Sequence, residues 1–176
     1  METTKFRIVH ASTAEDIATA RSLFTAYVDW LNIDLTYQDY QSELDSLPGK
    51  YGAPRGELLV AYSTDNTPLG CVAVRQSEGQ ICEMKRLYVS PQARGIGLGK
   101  ALVTAIVQRA KALGYKEMRL DTLPSRMQEA IGMYTRLGFV ETSPYYETPM
   151  DETIFLALDL TKQEGDCMIY DRKDEH

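Results

Sequence analysis

Residues 90–100 read SPQARGIGLGK and place three glycines within five positions, between an arginine and a lysine. Successive glycines let the backbone come close to a ligand and turn its N–H groups toward it. The residues that follow, LGKALVTAIVQRAKAL (98–113), have the apolar spacing of a helix, and a helix N-terminus adds unpaired amides and a favourable dipole. The stretch therefore predicts a cradle for a diphosphate, with a glycine-rich turn that only begins a helix as the alternative.

Two familiar nucleotide-binding motifs do not fit this stretch. A Walker A loop, GxxxxGK[ST], would need glycine where Arg94 stands and serine or threonine where Ala101 stands. A dinucleotide fingerprint, GxGxxG, would need a third glycine at Lys100 and a place after the first strand of a βαβ unit. The pattern that fits is a strand, then Val-x-Pro-x-x-Arg-Gly-x-Gly-x-Gly (89–99), then a helix. This spacing suits one diphosphate at a helix N-terminus.

The composition limits the partners and the compartment. The 176 residues are 44% hydrophobic and 25% charged, as in an ordinary soluble domain, and the net charge of −6 argues against nucleic-acid binding. The N-terminal METTKFRIVHAS lacks the apolar core of a signal peptide, and no apolar run is long enough to span a membrane. Three cysteines without a CxxC pair and two histidines at opposite ends argue against a metal site and a Ser–His–Asp triad. We therefore expect a cytoplasmic protein with neither a membrane nor a nucleic-acid partner.

Strands and helices are mixed along the chain as in a single α+β domain over 1–160, followed by a polar tail over 161–176. Strands are predicted over 5–11, 57–62, 68–76, 81–89, 115–123, 139–146 and 151–160. Helices are predicted over 13–31 with Thr13 as N-cap, near 37–47, over 98–113 ending at Gly114, and over 125–137 with Ser125 as N-cap and Gly138 at its end. Alternation along the fourth strand predicts one shared face for Glu83, Lys85, Leu87 and Val89.

Two segments resemble a known family. MKRLYVSPQARGIGLGKALV (84–103) resembles the acetyl-coenzyme A binding motif of the GNAT superfamily of N-acetyltransferases, and EAIGMYTRLGF (129–139) resembles that superfamily's late A-x-x-x-Tyr-x-x-x-Gly-Phe element. The resemblance covers residues 6–160, and DTLPS, YTRLGF and PYYETP further resemble a small bacterial-type subgroup whose substrates are mostly unassigned. It implies a GNAT fold: a mixed, mostly antiparallel sheet of about six or seven strands with about four helices, splayed between the fourth and fifth strands.

The resemblance implies acetyl-CoA as cosubstrate, and the cysteine and histidine content predicts no metal. Its pyrophosphate would bind backbone amides of the glycine stretch, and its pantetheine arm would pair with the edge of the fourth strand. The implied cofactor-binding residues are Leu87, Tyr88, Val89, Arg94, Gly95, Ile96, Gly97, Leu98, Gly99, Lys100 and Tyr134. One departure is Met127, which stands where many members have an asparagine that helps to hold the pantetheine or sulfur region.

Three residues are the catalytic candidates that the resemblance implies. The Leu87 N–H would donate to the thioester carbonyl oxygen, and Tyr134 would be the general acid, since a tyrosine with a pKa of about 10 is protonated at neutral pH. Glu83 stands six residues before the motif valine, where some members carry a general base. The alternatives are a core tyrosine that is hydrogen-bonded elsewhere, and a glutamate that pairs with Lys85 or Arg86 or only binds a cationic substrate.

The acceptor would enter opposite the cofactor, between the early helix–helix loop and the last strands. The residues proposed for it are Trp30, Asp34, Tyr37, Tyr145 and Tyr146, because aromatic rings stack on cations and carboxylates attract ammonium groups. Core packing and solvated loop charges are the alternatives for these residues. The expected function is N-acetylation, by direct attack, of a primary amine on a small-molecule or amino-acid-like acceptor. Peptide or protein N-acetylation and a non-catalytic CoA-binding sensor are the alternatives, and the resemblance is compatible with a homodimer.

Overall fold

The computed structural model describes residues 5–32 and 39–162, apart from the side chain of Arg126. The strands are β1 (Phe6–His10), β2 (Glu57–Ser63), β3 (Pro68–Glu78), β4 (Ile81–Val89), β5 (Glu117–Thr122), β6 (Val140–Thr142) and β7 (Ile154–Asp159). The helices are α1 (Ala14–Leu31), α2 (Tyr40–Asp45), α3 (Leu98–Ala112) and α4 (Pro124–Arg136), with 3₁₀ turns at Gly49–Tyr51 and Pro91–Ala93. No helix in the two described ranges is long and apolar enough to cross a membrane. Asp34 and Tyr37, both predicted for the acceptor, and the tail from residue 163 lie outside the described residues.

The seven strands of the described ranges form one sheet in the order β1-β2-β3-β4-β5-β7-β6. All neighbouring strands are antiparallel except β4 and β5, which run parallel. This parallel pair is in register only where Ile81–Glu83 lies beside Glu117–Arg119; beyond it β4 continues with β3 and β5 continues with β7. The predicted fold class is confirmed: a mixed, mostly antiparallel sheet, flanked by helices and splayed between the fourth and fifth strands.

Hydrophobic side chains cover both faces of the sheet. On one face α3 packs against β3 and β4 through a cluster that includes Leu102, Val74 and Met84. On the other face α1 packs against β2 and β3 through a cluster that includes Phe24 and Cys71. A fully buried aliphatic or aromatic side chain stabilises the fold by about 1.5–3 kcal/mol. These two cores hold β4 between them, so the side chains of β4 alternate between two different surroundings.

Most predicted helix ends agree with the structure. Thr13 caps α1, because its hydroxyl accepts a hydrogen bond from the Asp16 N–H at 3.1 Å. The helices α3 and α4 end just before Gly114 and Gly138, as predicted.

Two local predictions were wrong. Ser125 does not cap α4, because the helix begins one residue earlier, at Pro124, whose fixed φ suits the first helical position. The Ser125 hydroxyl instead donates to a glutamate of the β6–β7 loop at 2.5 Å. The strand predicted over 139–146 spans only Val140–Thr142, and the next residues include Pro144, which has no N–H to donate to a ladder.

A β-bulge interrupts β4 near its end. Between the pairs Cys71–Tyr88 and Ala73–Lys85, β3 advances by two residues and β4 by three. Arg86, inside this interval, has a φ of 60°, which is uncommon for any residue but glycine. Because side chains alternate with a period of two, one extra residue reverses the faces of everything that follows it.

The bulge overturns the prediction that four β4 side chains share one face. Met84 lies in the α3 cluster, so its neighbours Glu83 and Lys85 point to the α1 side of the sheet. Leu87 and Val89 pack against the α3 cluster. The two charged residues are therefore on the opposite face from the two apolar ones.

A buried ion pair holds the left-handed Arg86. Its Nε donates to Glu43 Oε2 of α2 at 2.8 Å, and the two side chains are only 3% and 12% exposed. The Tyr51 hydroxyl donates to the same carboxylate, and the Arg86 guanidinium lies 5.6 Å from the centroid of the Tyr40 ring. The helix α2 thereby supports the conformation of the bulge.

We expect Glu43→Gln to lower the free energy of unfolding by about 3 kcal/mol, because the buried guanidinium loses its counter-charge. Urea unfolding followed by the fluorescence of Trp30 measures this loss. Glu78→Gln is the matched control: Glu78 also pairs with an arginine, Arg119, but it is 70% exposed, and such a pair contributes about 0–1 kcal/mol. Equal losses in the two variants would contradict a special role for the buried pair.

Candidate active site

A cleft of about 990 Å³ lies where β4 and β5 part. Its walls are the end of β4 (Leu87–Val89), the glycine loop with the first turn of α3, and residues of α4. The predicted cofactor-binding residues on its wall are Leu87, Tyr88, Val89, Arg94, Gly95, Gly97, Leu98, Gly99, Lys100 and Tyr134. Ile96 is the one predicted residue that is not on the wall; its side chain is 39% exposed. The structure thus brings this predicted set together in one cleft, while its role in binding stays a prediction.

The glycine loop is open toward the cleft and has a strained geometry that only glycine adopts readily. Gly95 and Gly97 have φ values of 81° and 84°, and a Cβ placed on either would meet no atom within 4 Å. Gly97 precedes α3 without a side-chain cap, and the first helical bond joins the Ala101 N–H to the Gly97 carbonyl at 3.1 Å. The amides before Ala101 therefore have no partner within the helix. A bare cradle of amides at the start of a 15-residue helix fits a diphosphate.

Arg94 and Trp30 stand together at the edge of the cleft. The Arg94 guanidinium lies 5.0 Å from the centroid of the Trp30 ring, and its Nε donates to the Val89 carbonyl at 3.3 Å. Such a contact orders an arginine side chain beside an aromatic face. Trp30 was predicted for the acceptor pocket, but the structure places it on the cofactor cleft, apart from Tyr145 and Tyr146.

Tyr134 lies on the α4 wall of the cleft and is 4% exposed. Its ring packs on Phe139 with centroids 5.5 Å apart. Burial raises the pKa of Tyr134 well above its usual value, with smaller contributions from Tyr27 and Asp121. The hydroxyl is therefore protonated at every physiological pH, which is the state that a general acid requires.

Met127 marks a kink in α4 at the cleft wall. Its backbone is not helical (φ −138°, ψ 36°), and its sulfur accepts a hydrogen bond from the Thr122 hydroxyl at 3.4 Å. The methionine that stands in the place of the expected asparagine thus ties α4 to the end of β5.

Glu83 is buried away from the cleft and is held at both oxygens. Arg75 donates to Oε1 from Nε at 3.0 Å and from Nη2 at 2.9 Å, and the Tyr145 hydroxyl donates to Oε2 at 2.8 Å. Glu83 also lines a separate concavity of about 430 Å³ beside Lys50, Arg55 and Arg75. The role of Glu83 as a base stays a prediction, and its geometry is that of a group that orients its neighbours.

Sequence reasoning missed Asp121, which is the second carboxylate on this face. Its Oδ1 lies 3.6 Å from Lys85 Nζ, and its Oδ2 accepts a hydrogen bond from the Tyr146 hydroxyl at 2.8 Å. Lys85 is 7% exposed and its Nζ is also 3.9 Å from Glu83 Oε2; burial lowers the pKa of Lys85. The signal that could have found Asp121 is its spacing in β5, where it alternates with the buried Leu120.

Two tyrosines of the β6–β7 loop cover these charges. The rings of Tyr145 and Tyr146 are 5.5 Å apart and lie 4.9 Å and 5.3 Å from Phe155 of β7. Each hydroxyl donates to one carboxylate, Tyr145 to Glu83 and Tyr146 to Asp121. The structure therefore brings together the two tyrosines predicted for the acceptor, on the α1 face of the sheet.

An open mixed sheet with a glycine loop before α3 and a cleft at the splay defines the class of GNAT-fold acetyltransferases. The sequence model of the acetyltransferase (GNAT) family matches residues 24–139, and the chain belongs to this family. It is 41% identical over 149 residues to an uncharacterized N-acetyltransferase of Schizosaccharomyces pombe, a match that covers 84% of this chain and 91% of that protein. These findings make the chain an acyltransferase enzyme.

Solved structures agree with the fold. An acyl-CoA N-acyltransferase of Klebsiella pneumoniae is 28% identical, with a TM-score of 0.67 and coverage of 88% of this chain and 97% of that one. A phosphinothricin acetyltransferase of Sinorhizobium meliloti, solved in complex with acetyl-CoA, has a TM-score of 0.67 at 21% identity and covers 92% of both chains. The second likeness concerns the fold alone.

We expect Gly97→Ala to weaken acetyl-CoA binding about tenfold or more, because a Cβ would enter the space above the amides; tenfold corresponds to about 1.4 kcal/mol. Titration calorimetry with acetyl-CoA measures this change. Gly79→Ala is the matched control, since Gly79 also has a positive φ of 51° and open space around it but lies in the β3–β4 turn. Both variants should lose about 1–2 kcal/mol of stability from backbone strain. Equal acetyl-CoA affinities in the two variants would count against a phosphate cradle at this loop.

Proposed function

We propose that this enzyme transfers an acetyl group from acetyl-CoA to a primary amine of a small-molecule or amino-acid-like acceptor, by direct attack. The observation that carries the proposal is the cleft at the β4–β5 splay, with the open glycine loop at one end and Tyr134 on its wall. The amides of 94–100 would hold the pyrophosphate. The backbone of Leu87 and Val89, at the unpaired edge of β4, would hold the pantetheine arm.

Acetyl-CoA supplies a thioester whose carbonyl carbon an amine can attack. Around it, the Leu87 N–H would donate to the carbonyl oxygen as negative charge develops there. The bulge at Arg86 supports this assignment, because a bulge takes one residue out of the regular ladder and re-aims its neighbours. A well-placed donor of this kind contributes roughly 2.7–4 kcal/mol to transition-state stabilisation.

Tyr134 would protonate the departing thiolate. Its hydroxyl is buried on the cleft wall, and its raised pKa leaves it protonated at neutral pH. The proton would then move from the phenol to a sulfur that has just gained charge.

We call the surface formed by Glu83, Lys85, Asp121, Tyr145 and Tyr146 the acceptor face, and it supports a small amine as substrate. Tyr145 and Tyr146 lie over the charges of β4 and β5 and are packed on Phe155. A cover of packed rings leaves less room for an extended peptide than an open groove would. The two carboxylates beneath these rings, Glu83 and Asp121, would attract the amine of a small acceptor.

We expect Tyr134→Phe to lower kcat by at least about 100-fold and to leave acetyl-CoA affinity almost unchanged, because it removes only a proton donor. Steady-state kinetics and calorimetry separate the two effects. Tyr115→Phe is the control: Tyr115 is also buried, and its hydroxyl donates to the Arg55 carbonyl at 2.6 Å, outside the cleft. A Tyr134→Phe enzyme with near-normal kcat would remove the assigned role.

The function itself is tested with the unmodified enzyme, acetyl-CoA and a panel of amines and amino acids, with release of free CoA thiol as the readout. We expect turnover that depends on a primary amine and yields the N-acetylated product by mass spectrometry. Turnover only with peptides would favour the peptide acetyltransferase. Tight CoA binding without turnover on any amine would favour the sensor, and the proposal would fail.

A further inference from the structure

Two carboxylates lie under the acceptor face, and they are held very differently. Glu83 has a 5% exposed side chain and accepts three hydrogen bonds between 2.8 and 3.0 Å. Asp121 has a 15% exposed side chain, one hydrogen bond from Tyr146 at 2.8 Å, and Lys85 Nζ at 3.6 Å. The latter distance exceeds an ordinary hydrogen bond of about 3.2 Å. Asp121 therefore keeps more of its hydrogen-bond acceptor capacity unused than Glu83 does.

Asp121 also stands at the splay itself. The last β4–β5 pair is Glu83 with Arg119, and Asp121 is two residues further along β5, where it pairs only with Phe155 of β7. Its charge contributes to the raised pKa of Tyr134 on the cleft wall. Asp121 thus lies where β5 leaves β4, beside Lys85 and Tyr146.

We propose that Asp121 is the carboxylate that receives the acceptor's amine and takes its proton. This inference rests on the proposed function and deepens it. Glu83 then has a different task, which is to hold Arg75 and Tyr145 in place through its three hydrogen bonds. Lys85, between the two carboxylates, adds a positive charge that favours the neutral amine over the ammonium beside it.

The protons balance along this route. The acceptor ammonium gives one proton to the Asp121 carboxylate, and the neutral amine attacks. As the C–N bond forms and the C–S bond breaks, the nitrogen gives up a second proton. The sulfur receives one proton from Tyr134, which regains one from the nitrogen, and the proton on Asp121 leaves to solvent. The products are an N-acetyl amide, free CoA thiol and one released proton.

The two tyrosines of the β6–β7 loop provide a matched test that leaves both carboxylates in place. Tyr146→Phe removes the hydrogen bond to Asp121, and Tyr145→Phe removes the one to Glu83. A carboxylate that loses a hydrogen-bond donor becomes more basic. If that carboxylate is the catalytic base, the acidic limb of the pH profile of kcat/KM for the acceptor moves to higher pH. We expect a shift of about one pH unit for Tyr146→Phe and no shift for Tyr145→Phe. The reverse pattern, or no shift in either variant, would overturn the inference.

Among residues 5–32 and 39–162, the charged and titratable groups around Asp121 are Lys85 and Glu83 from β4, Arg119 on β5, Tyr145 and Tyr146 from the loop, and Tyr134 from α4. Lys85 and Arg119 stay unchanged in both variants, so their charges are common to the comparison. The acetyl-CoA affinity of each variant reports whether the cleft is intact.

A second pair of variants removes the carboxylates themselves. Asp121→Asn should lower kcat/KM for the acceptor at least about 100-fold near neutral pH, and the loss should shrink as the pH approaches about 10, where a primary amine is already neutral. Glu83→Gln should lower it at every pH alike, through loosened neighbours. Asp121→Glu, which keeps a carboxylate, should restore part of the rate.

The outcomes separate this inference from the proposed function. Turnover of amines by the unmodified enzyme with wild-type behaviour in Asp121→Asn would overturn the inference and leave the function standing. A pH-dependent loss in Glu83→Gln would assign the base to Glu83 and also overturn it. No turnover by the unmodified enzyme on any amine would defeat the function on which the inference rests.

Discussion

The strands β4 and β5 are paired over three residues and then part, and the cleft, the glycine loop and both carboxylates depend on that short pairing. Strand edges that separate expose N–H and C=O groups, which is unfavourable unless something else pairs with them. The separation persists because each strand follows a different neighbour, β4 with β3 to Val89 and β5 with β7 to Thr122. The opening is therefore built into the sheet order and does not depend on a bound molecule.

The bulge at Arg86 determines which β4 side chains point to each face of the sheet at this opening. Without it, Leu87 would point to the same side as Glu83, and β4 would present one face to both substrates. With it, Glu83 and Lys85 face the α1 side of the sheet, and Leu87 and Val89 face the cleft. The bulge requires Arg86 to adopt a left-handed backbone conformation, which is unfavourable for a residue other than glycine. This conformation persists because Glu43 of α2 binds the Arg86 guanidinium in a buried ion pair.

Local signals in the sequence predicted the elements well, and tertiary contacts account for what was missed. The Thr13 cap and the stops at Gly114 and Gly138 are properties of a few neighbouring residues, and the structure agrees with them. The glycine spacing predicted a cradle, because its geometry is also local. Alternation along β4 failed, because a bulge depends on how β3 pairs with it. No residue type near Arg86 predicts the bulge from the sequence.

The candidate site was predictable on the cofactor side and only in part on the acceptor side. A loop and the helix that follows it are contiguous in sequence, so their residues could be assigned together. Asp121 becomes a candidate only through its contacts with Lys85 of β4 and Tyr146 of the β6–β7 loop. Both partners are distant from it in sequence. Trp30 lies in α1, next to Arg94. The apolar pattern of a helix does not fix its rotation closely enough to tell whether Trp30 faces the cofactor cleft or the predicted acceptor pocket.

The charges under the acceptor face favour the transfer of a proton from the acceptor ammonium to the protein. Among the described residues, Glu83 and Asp121 are balanced by Arg75 and Lys85, and all four lie in a partly buried layer where screening by salt is weak. An ammonium entering this layer adds a positive charge to it, whereas a neutral amine adds none. Burial disfavours the ammonium for the same reason that it keeps Tyr134 protonated, since each charged form would lose solvent. Burial where β4 and β5 part thus favours both states that acetyl transfer requires: a neutral amine at the acceptor face and a protonated Tyr134 at the cleft.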